Sequence, residues 1–333
     1  AVPVTDLGDT GGRGQLRWAI THVCDGGTIL VVRRGIITLQ IGQLVIPSGK
    51  TLSIRAIPPT GDAPGVTIET PRTDEGDGTG RVLFVSEGAD LSLQRIALAY
   101  GDATDEGLDP EDQAGGGVYV DHASLTLVFG VVSGNVGSFG GGIYNDHGSV
   151  VVTSGVVDGN DARIEGGGIY NLGGSMTLTD VRVERNNVVS WEYEGAGSGI
   201  ANAGTLTLNG FTSVAENSDV VFGTGITNGG TVVMNDDSSV TGNVASFGGG
   251  IDNGGSLILN DRSAIAGNWA NQGGGGVYNG GTVVLNDHSS ITGNGAGFCG
   301  GGVGSYRDFG MGTVTVNPPA TISRNTPDDI GWC

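Results

Sequence analysis

Long apolar runs are absent from this chain of 333 residues. No stretch approaches the ~20 consecutive apolar residues that a membrane helix requires, so no membrane insertion is expected. Lysine is nearly missing too: Lys50 stands alone, and the other basic residues are arginine. Basic residues number 15 against 35 acidic ones, a net charge of −20. Such a surface repels nucleic acid and anionic membranes and argues against a strongly anionic polymer as partner. The histidines, among them His122, His147 and His288, are scattered, and no His/Cys/carboxylate spacing suggests zinc. Neither a nucleophile elbow nor a phosphate-binding loop occurs. No signal-peptide pattern is present, and Ala1-Val-Pro-Val is compatible with a mature terminus. The cysteines are Cys24, Cys299 and Cys333, with two readings open. A disulfide between Cys299 and Cys333, closing 34 residues, would contribute ~3–4 kcal/mol in the entropic picture and leave Cys24 unpaired. Otherwise all three are buried thiols.

What the chain has in abundance is glycine, 66 residues, in phase with a repeat. Gly-Gly-Gly-Ile-Tyr-Asn at positions 140–145 returns at 166–171, at 248–253 with Asp252 for tyrosine, and at 274–279 with Val277 for isoleucine. Asn135, Asn160, Asn186, Asn217, Asn243, Asn268, Asn294 and Asn325 recur at steps of 25, 26 or 31 residues. Two further asparagine series run in step: Asn145 to Asn279, and Asn209 to Asn317. Between them lie short alternating runs such as Thr231-Val-Val-Met, which have the period of a strand. Three asparagine columns with three strands between them describe a coil with three corners. Coils of this kind stack at ~4.8 Å, so an inward asparagine can bond amide to amide with those above and below.

These residues predict an all-β fold, a right-handed parallel β-helix with inward asparagine ladders. The repeat resembles that of the pectin-lyase-like β-helices. More narrowly, the Gly-Gly-x-Ile box with a downstream asparagine is similar to the repeat of polymorphic outer-membrane proteins and related bacterial surface proteins, over roughly residues 115–325. The resemblance implies a secreted or cell-surface protein, whose common role is non-catalytic adhesion. The calcium-binding nonapeptide Gly-Gly-x-Gly-x-Asp does not occur.

The chain reads as one elongated domain: an N-terminal cap at 1–27, irregular coils at 28–114, regular coils at 115–294 and a C-terminal coil and cap at 295–333. Leu16, Ala19, Ile20 and Val23 stand at helical spacing, predicting a short helix over 15–23 that covers the open sheet edge.

A site is expected where the repeat fails. The step from Asn186 to Asn202 exceeds its equivalents, and the extra residues include Trp191, Glu192 and Tyr193. Two and four positions before the first asparagine series, small residues predominate, but here stand Asp158, Arg182 and Glu184. Arg185 and Glu216 replace the glycine that precedes that asparagine, and the adjoining corner adds Asp161, Arg163, Glu165 and Asp219. Stacking brings departures on neighbouring coils together. Asp158, Glu184, Glu216, Arg182 and Asp161 are the catalytic candidates. Arg163, Trp191, Glu192, Tyr193 and Asp219 are the candidates for substrate binding. Paired carboxylates can divide acid and base roles, as hydrolysis of a glycosidic bond requires, and the aromatics can stack on sugar rings. A lyase would use Arg163, Arg182 or Arg185 as base. The alternative is a solvated ion-pair patch.

No cofactor is required, and no metal residues are assigned. Calcium stays open at two places. One is the loop carrying Asp102, Asp105, Glu106, Asp109 and Asp112; the other is the column Asp236, Asp261 and Asp287, whose simpler reading is an Asx-type corner. The functional expectation is a monomeric, secreted, polysaccharide-cleaving protein, a glycoside hydrolase or polysaccharide lyase acting on an extracellular polysaccharide. The other reading is a non-catalytic adhesin or polysaccharide-binding repeat protein, favoured by the aromatic content of 6% and the lack of a defined catalytic motif.

Overall fold

A computed structural model describes residues 1–57, 63–72, 78–104, 113–189, 197–218, 223–305 and 312–332. The chain is a parallel β-helix. Three large sheets run its length, one of 12 strands and two of 11. Each regular coil contributes one strand to each, as in Ile143–Asp146, Ser149–Thr153 and Val156–Asp158. We call these the tyrosine face, the long face and the charge face. Between charge face and tyrosine face the chain adds a low wall, two three-stranded sheets represented by Val136–Phe139 and Val244–Phe247.

Alternation builds the core. Along Ser149–Thr153 the side chains at 150 and 152 are buried while the others face outward. Register then places Leu125, Val150, Met176, Leu206, Val232, Leu257 and Val283 in one column. Each is at most 1% exposed, and full burial of such a side chain contributes ~1.5–3 kcal/mol. Strands at 28–114 prove to belong to the same three sheets, so those coils are irregular in sequence and not in architecture. In the column of Asn145 the earlier coils carry Ile46, Val85 and Val120 instead. The helix spans Leu16–His22, buries Leu16, Ala19 and Ile20 into the common core, and packs on the first two strands of the long face.

Two asparagine ladders are internal. Asn135 to Asn325 donate in turn from Nδ2 to the Oδ1 of the next coil, at 2.9–3.2 Å. That Oδ1 also accepts the preceding asparagine's main-chain N–H. Asp329 Oδ1 ends the series by accepting from both nitrogens of Asn325 at 3.0 Å. The ladder from Asn145 to Asn279 runs the same way. The third differs from expectation. Asn209 to Asn317 do bond in sequence, but with the donor pointing backwards, and they are half-buried or exposed at the corner. At this corner the inward places go to Thr212, Ser238, Ser263 and Ser289, each buried.

Glycine is required where coils touch. A Cβ on Gly141 would lie 2.1 Å from the carbonyl oxygen of Asp161 on the next coil. Among the described residues no helix is long and apolar enough to cross a membrane.

Candidate functional site: a charge cluster beside a cleft

Asp158 and Glu184 are register partners on adjacent strands of the charge face, with Ser133 before them and Ala215 after. Alternation turns both outward, since Val157 and Val183 between their neighbours are buried. Arg182 lies on the strand of Glu184 and stands beside Val156 and Ser213. Arg185 and Glu216 occupy the corner in the left-handed region, at φ 53° and 55°, where other coils place Gly134, Gly159, Gly242, Gly267 and Gly293. An L side chain is strained there, so these positions are costly ones to fill with charge.

Arg185 is the hub. Its Nη2 lies 2.8 Å from Asp158 Oδ1 and 3.2 Å from Glu184 Oε1, and Nη1 lies 4.0 Å from Glu216 Oε2. Arg182 Nε approaches Glu184 Oε1 at 3.6 Å. The expected carboxylate pair is thus bridged by a guanidinium. Asp158 and Glu184 are acceptors in ion pairs, not two free groups dividing a proton. Glu216 is the least engaged, with 69% of its side chain exposed.

Beside the cluster lies a cleft of about 360 Å³ across consecutive coils, lined by Pro64, Phe129, Val131, Val156, Asp180 and Arg182 among others. Arg182 belongs to both cleft and cluster. Phe129 carries the Arg95 guanidinium 4.7 Å from its ring centre. The other expected residues divide. Asp161 is half-buried in the wall strand Asp161–Glu165, beyond the corner from Asp158, and Arg163 on the same strand reaches 3.5 Å from the Thr104 carbonyl. The wall therefore separates Asp161 and Arg163 from the charge face. Trp191, Glu192, Tyr193 and Asp219 lie outside the described residues.

Three features escaped the sequence reading. The tyrosine of the repeated box faces outward between inward isoleucine and asparagine. Phe84, Tyr119, Tyr144 and Tyr170 consequently form a column with ring centres 4.8–5.5 Å apart. Tyr144 and Tyr170 stack at 6° and cover one another's faces, which leaves Tyr144 only 3% exposed. Burial pushes the Glu165 carboxyl up, partly countered by a hydrogen bond from Tyr170, whose own hydroxyl is pushed up to about 12. Burial also pushes Asp252, standing in the tyrosine position, up to about 6. The doubled box pattern was the available signal.

The histidines were misread. His122 and His147 are one coil apart and stack, ring centres 5.2 Å apart and 12° from parallel, so they are not scattered. The Asp236 column is corrected as well. Asp236 Oδ2 accepts the Gly210 N–H at 2.8 Å and Asp261 Oδ2 the Asp236 N–H at 3.1 Å, clipping each corner to the coil before it instead of closing its own turn. Of the acidic loop, Asp102 accepts from Thr104, and Asp105, Glu106, Asp109 and Asp112 lie outside the described residues. Cys299 is disulfide-bonded and Cys24 is an exposed free thiol; Cys333 lies outside the described residues.

No family model and no curated protein matches this chain. Two solved structures are similar to it. Pectate lyase Pel9A aligns over 97% of this chain and 78% of its own at 12% identity, with a TM-score of 0.48. The enzymatically active domain of tailspike protein 2 from bacteriophage CBA120 aligns over 89% of this chain and 43% of its own at 13% identity, with a TM-score of 0.46.

Proposed function

We propose that this protein binds an extended polysaccharide along the charge face and cleaves its glycosidic bonds beside Arg182, Glu184 and Glu216. The observation that carries the reading is that Arg182 lines the cleft and also pairs with Glu184, so one surface joins an apolar bed to a charge cluster. Phe129 and Pro64 offer apolar surface to a sugar ring, and the guanidinium groups offer donors to its hydroxyls or carboxylate. Glu216, the most exposed carboxylate of the cluster, is the one a substrate or water reaches most readily. A uronate-containing polymer of modest charge density fits Arg182, and a neutral polymer fits the hydroxyl-directed donors. The protein works outside the cell on this reading, as a monomer.

A second reading is favoured by one observation. Arg185 ties up Asp158 and Glu184, which leaves a charged binding face without a free carboxylate pair. On that reading the protein is a surface adhesin or polysaccharide-binding repeat protein, in keeping with the box-and-asparagine repeat of bacterial surface proteins.

The test is a panel of neutral and uronate polysaccharides, assayed for new reducing ends, for unsaturated products and for binding by titration calorimetry. Glu184→Gln with Glu216→Gln should abolish turnover with little change in melting temperature. Binding without any product supports the adhesin. Full activity in the double variant, with loss in Glu165→Gln, would move the site to the tyrosine face and defeat the assignment made here.

A further inference from the structure

The corner between the tyrosine face and the long face carries a second constellation, apart from the cleft on the charge face. His122 and His147 occupy equivalent positions on adjacent coils, both in the left-handed region, at φ 46° and 53°. Each is preceded by an aspartate, and these are register partners, Asp121 with Asp146. His122 Nδ1 lies 2.8 Å from Asp121 Oδ1, and His147 Nδ1 lies 2.5 Å from Asp146 Oδ1. An ionised carboxylate only accepts, so both Nδ1 atoms carry the hydrogen, and in the neutral rings both Nε2 atoms carry the lone pair. Tyr119 OH donates to Asp146 Oδ2 at 3.0 Å and fixes that carboxylate from the other side.

The stack is built to keep those edges clear. A Cβ on Gly173, the equivalent corner of the following coil, would lie 2.6 Å from His147 Nε2 and 2.7 Å from its Cδ2. The ring therefore packs on a bare backbone, which only glycine provides there. One face of the His147 ring is covered by His122 and the other by Gly173. What remains is the edge, and both histidines line a polar cleft of about 540 Å³ whose other walls include Asp90, Ser124, Ser149 and Ser175.

An imidazole whose Nδ1–H is held by a carboxylate is how proteins orient histidine for a metal ion: the carboxylate fixes the tautomer and strengthens Nε2 as a donor. Two such units side by side are unusual as packing, since neither histidine is needed to fill a core; their side chains are 53% and 52% exposed. We propose that His122 and His147 bind one divalent transition-metal ion of the zinc or nickel type through their Nε2 atoms, with Asp121 and Asp146 as the orienting carboxylates. Donor atoms of His122, Asp146 and His147 lie within 4.8 Å of one another. Two bonds of ~2.1 Å to one ion require nitrogens no more than ~4.2 Å apart. The two rings, now stacked with centres 5.2 Å apart, must therefore turn toward one another on binding. Water and cleft hydroxyls complete the coordination. Calcium and magnesium, which take oxygen ligands, do not suit two imidazoles.

The experiment is titration of the full chain, freed of metal by chelator, with zinc and separately with nickel, followed by calorimetry. One equivalent should bind, and excess magnesium should not displace it. His122→Gln and His147→Gln should each weaken binding at least tenfold, while His288→Gln leaves it unchanged. Asp146→Asn should weaken it less than loss of either ring. Melting curves of the variants show whether they fold; in the wild type, nitrogen chemical shifts of the two Nε2 atoms should move on zinc addition, a readout that needs no variant. Unmoved shifts, or equal zinc affinity in the His122→Gln, His147→Gln double variant, would overturn the site.

Discussion

Replacing Asn243 by leucine tests the internal ladder at a fully enclosed point. Asn243 is 0% exposed. Its Oδ1 accepts the Asn217 main-chain N–H at 3.0 Å and Asn217 Nδ2 at 3.2 Å. Its Nδ2 donates to Asn268 Oδ1 and to the Val214 carbonyl, both at 3.0 Å. Neighbouring groups do not lose everything. Asn217 Nδ2 keeps the carbonyls of Val183 and Ala215, and Asn268 Oδ1 keeps the Asn243 main-chain N–H. The Asn217 N–H has no such reserve, and an orphaned buried donor costs ~1–3 kcal/mol. Leucine methyls must also sit where polar atoms now approach to 3.0 Å, closer than carbon allows; overpacking of this kind costs ~1–3 kcal/mol. Burying the leucine recovers part of this. The net expectation is a loss of roughly 2–4 kcal/mol, read by urea unfolding at constant m value. Asn317→Leu is the control: Asn317 is exposed and makes one ladder bond, at 2.8 Å. It should change stability by less than ~0.5 kcal/mol. If Asn243→Leu cost no more than the control, the ladder would not be what holds the corner.

Asp252 gives a pH test. Its carboxyl is raised from 3.8 to about 6 by burial, so the native state holds the proton more tightly than the unfolded chain. Its favourable contribution is complete below pH 3.8 and is lost as pH rises through about 6. The full difference amounts to ~3 kcal/mol, and partial exposure reduces this to ~1–3 kcal/mol; Asp252→Asn should be more stable than the wild type by that amount at pH 7 and equal to it at pH 3.5, by urea unfolding. Gly141→Ala places a carbon 2.1 Å from the Asp161 carbonyl oxygen, where the backbone itself must move; soluble yield and melting temperature should both fall. Thiol titration of the native chain should find one reactive group, Cys24, with two more appearing after reduction and unfolding. Arg185→Gly should leave melting temperature nearly unchanged, because glycine suits φ 53°, while polysaccharide binding falls; unaltered binding would detach the hub from function.

The period carried most of the architecture. Asn243 and Asn268 are 25 residues apart and bond directly, because parallel coils force residues one period apart into vertical contact at the strand spacing. The same rule placed Asp158 beside Glu184. It was equally available for His122 and His147, whose separation is one coil; motif spacings drawn from globular metal sites hid it. The tyrosine column was legible too, in the outward place between isoleucine and asparagine.

Neighbourhood along the axis was thus fixed by the amino-acid sequence itself; direction around each corner was decided only by the tertiary structure. A corner residue with positive φ points where its backbone turns it, and no alternation rule applies there. That is why Arg185 folds back between Asp158 and Glu184, converting an expected acid–base pair into an ion-paired hub. It is why the aspartates after the third asparagine series reach the main-chain N–H groups of the coil before. The wall strand has the same effect at larger scale, separating Asp161 and Arg163 from carboxylates only a few residues away, because the corner at Gly159, with φ 60°, stands between them. Sequence distance measures the height of a coil faithfully, but across a corner it says nothing of which surface a side chain will share.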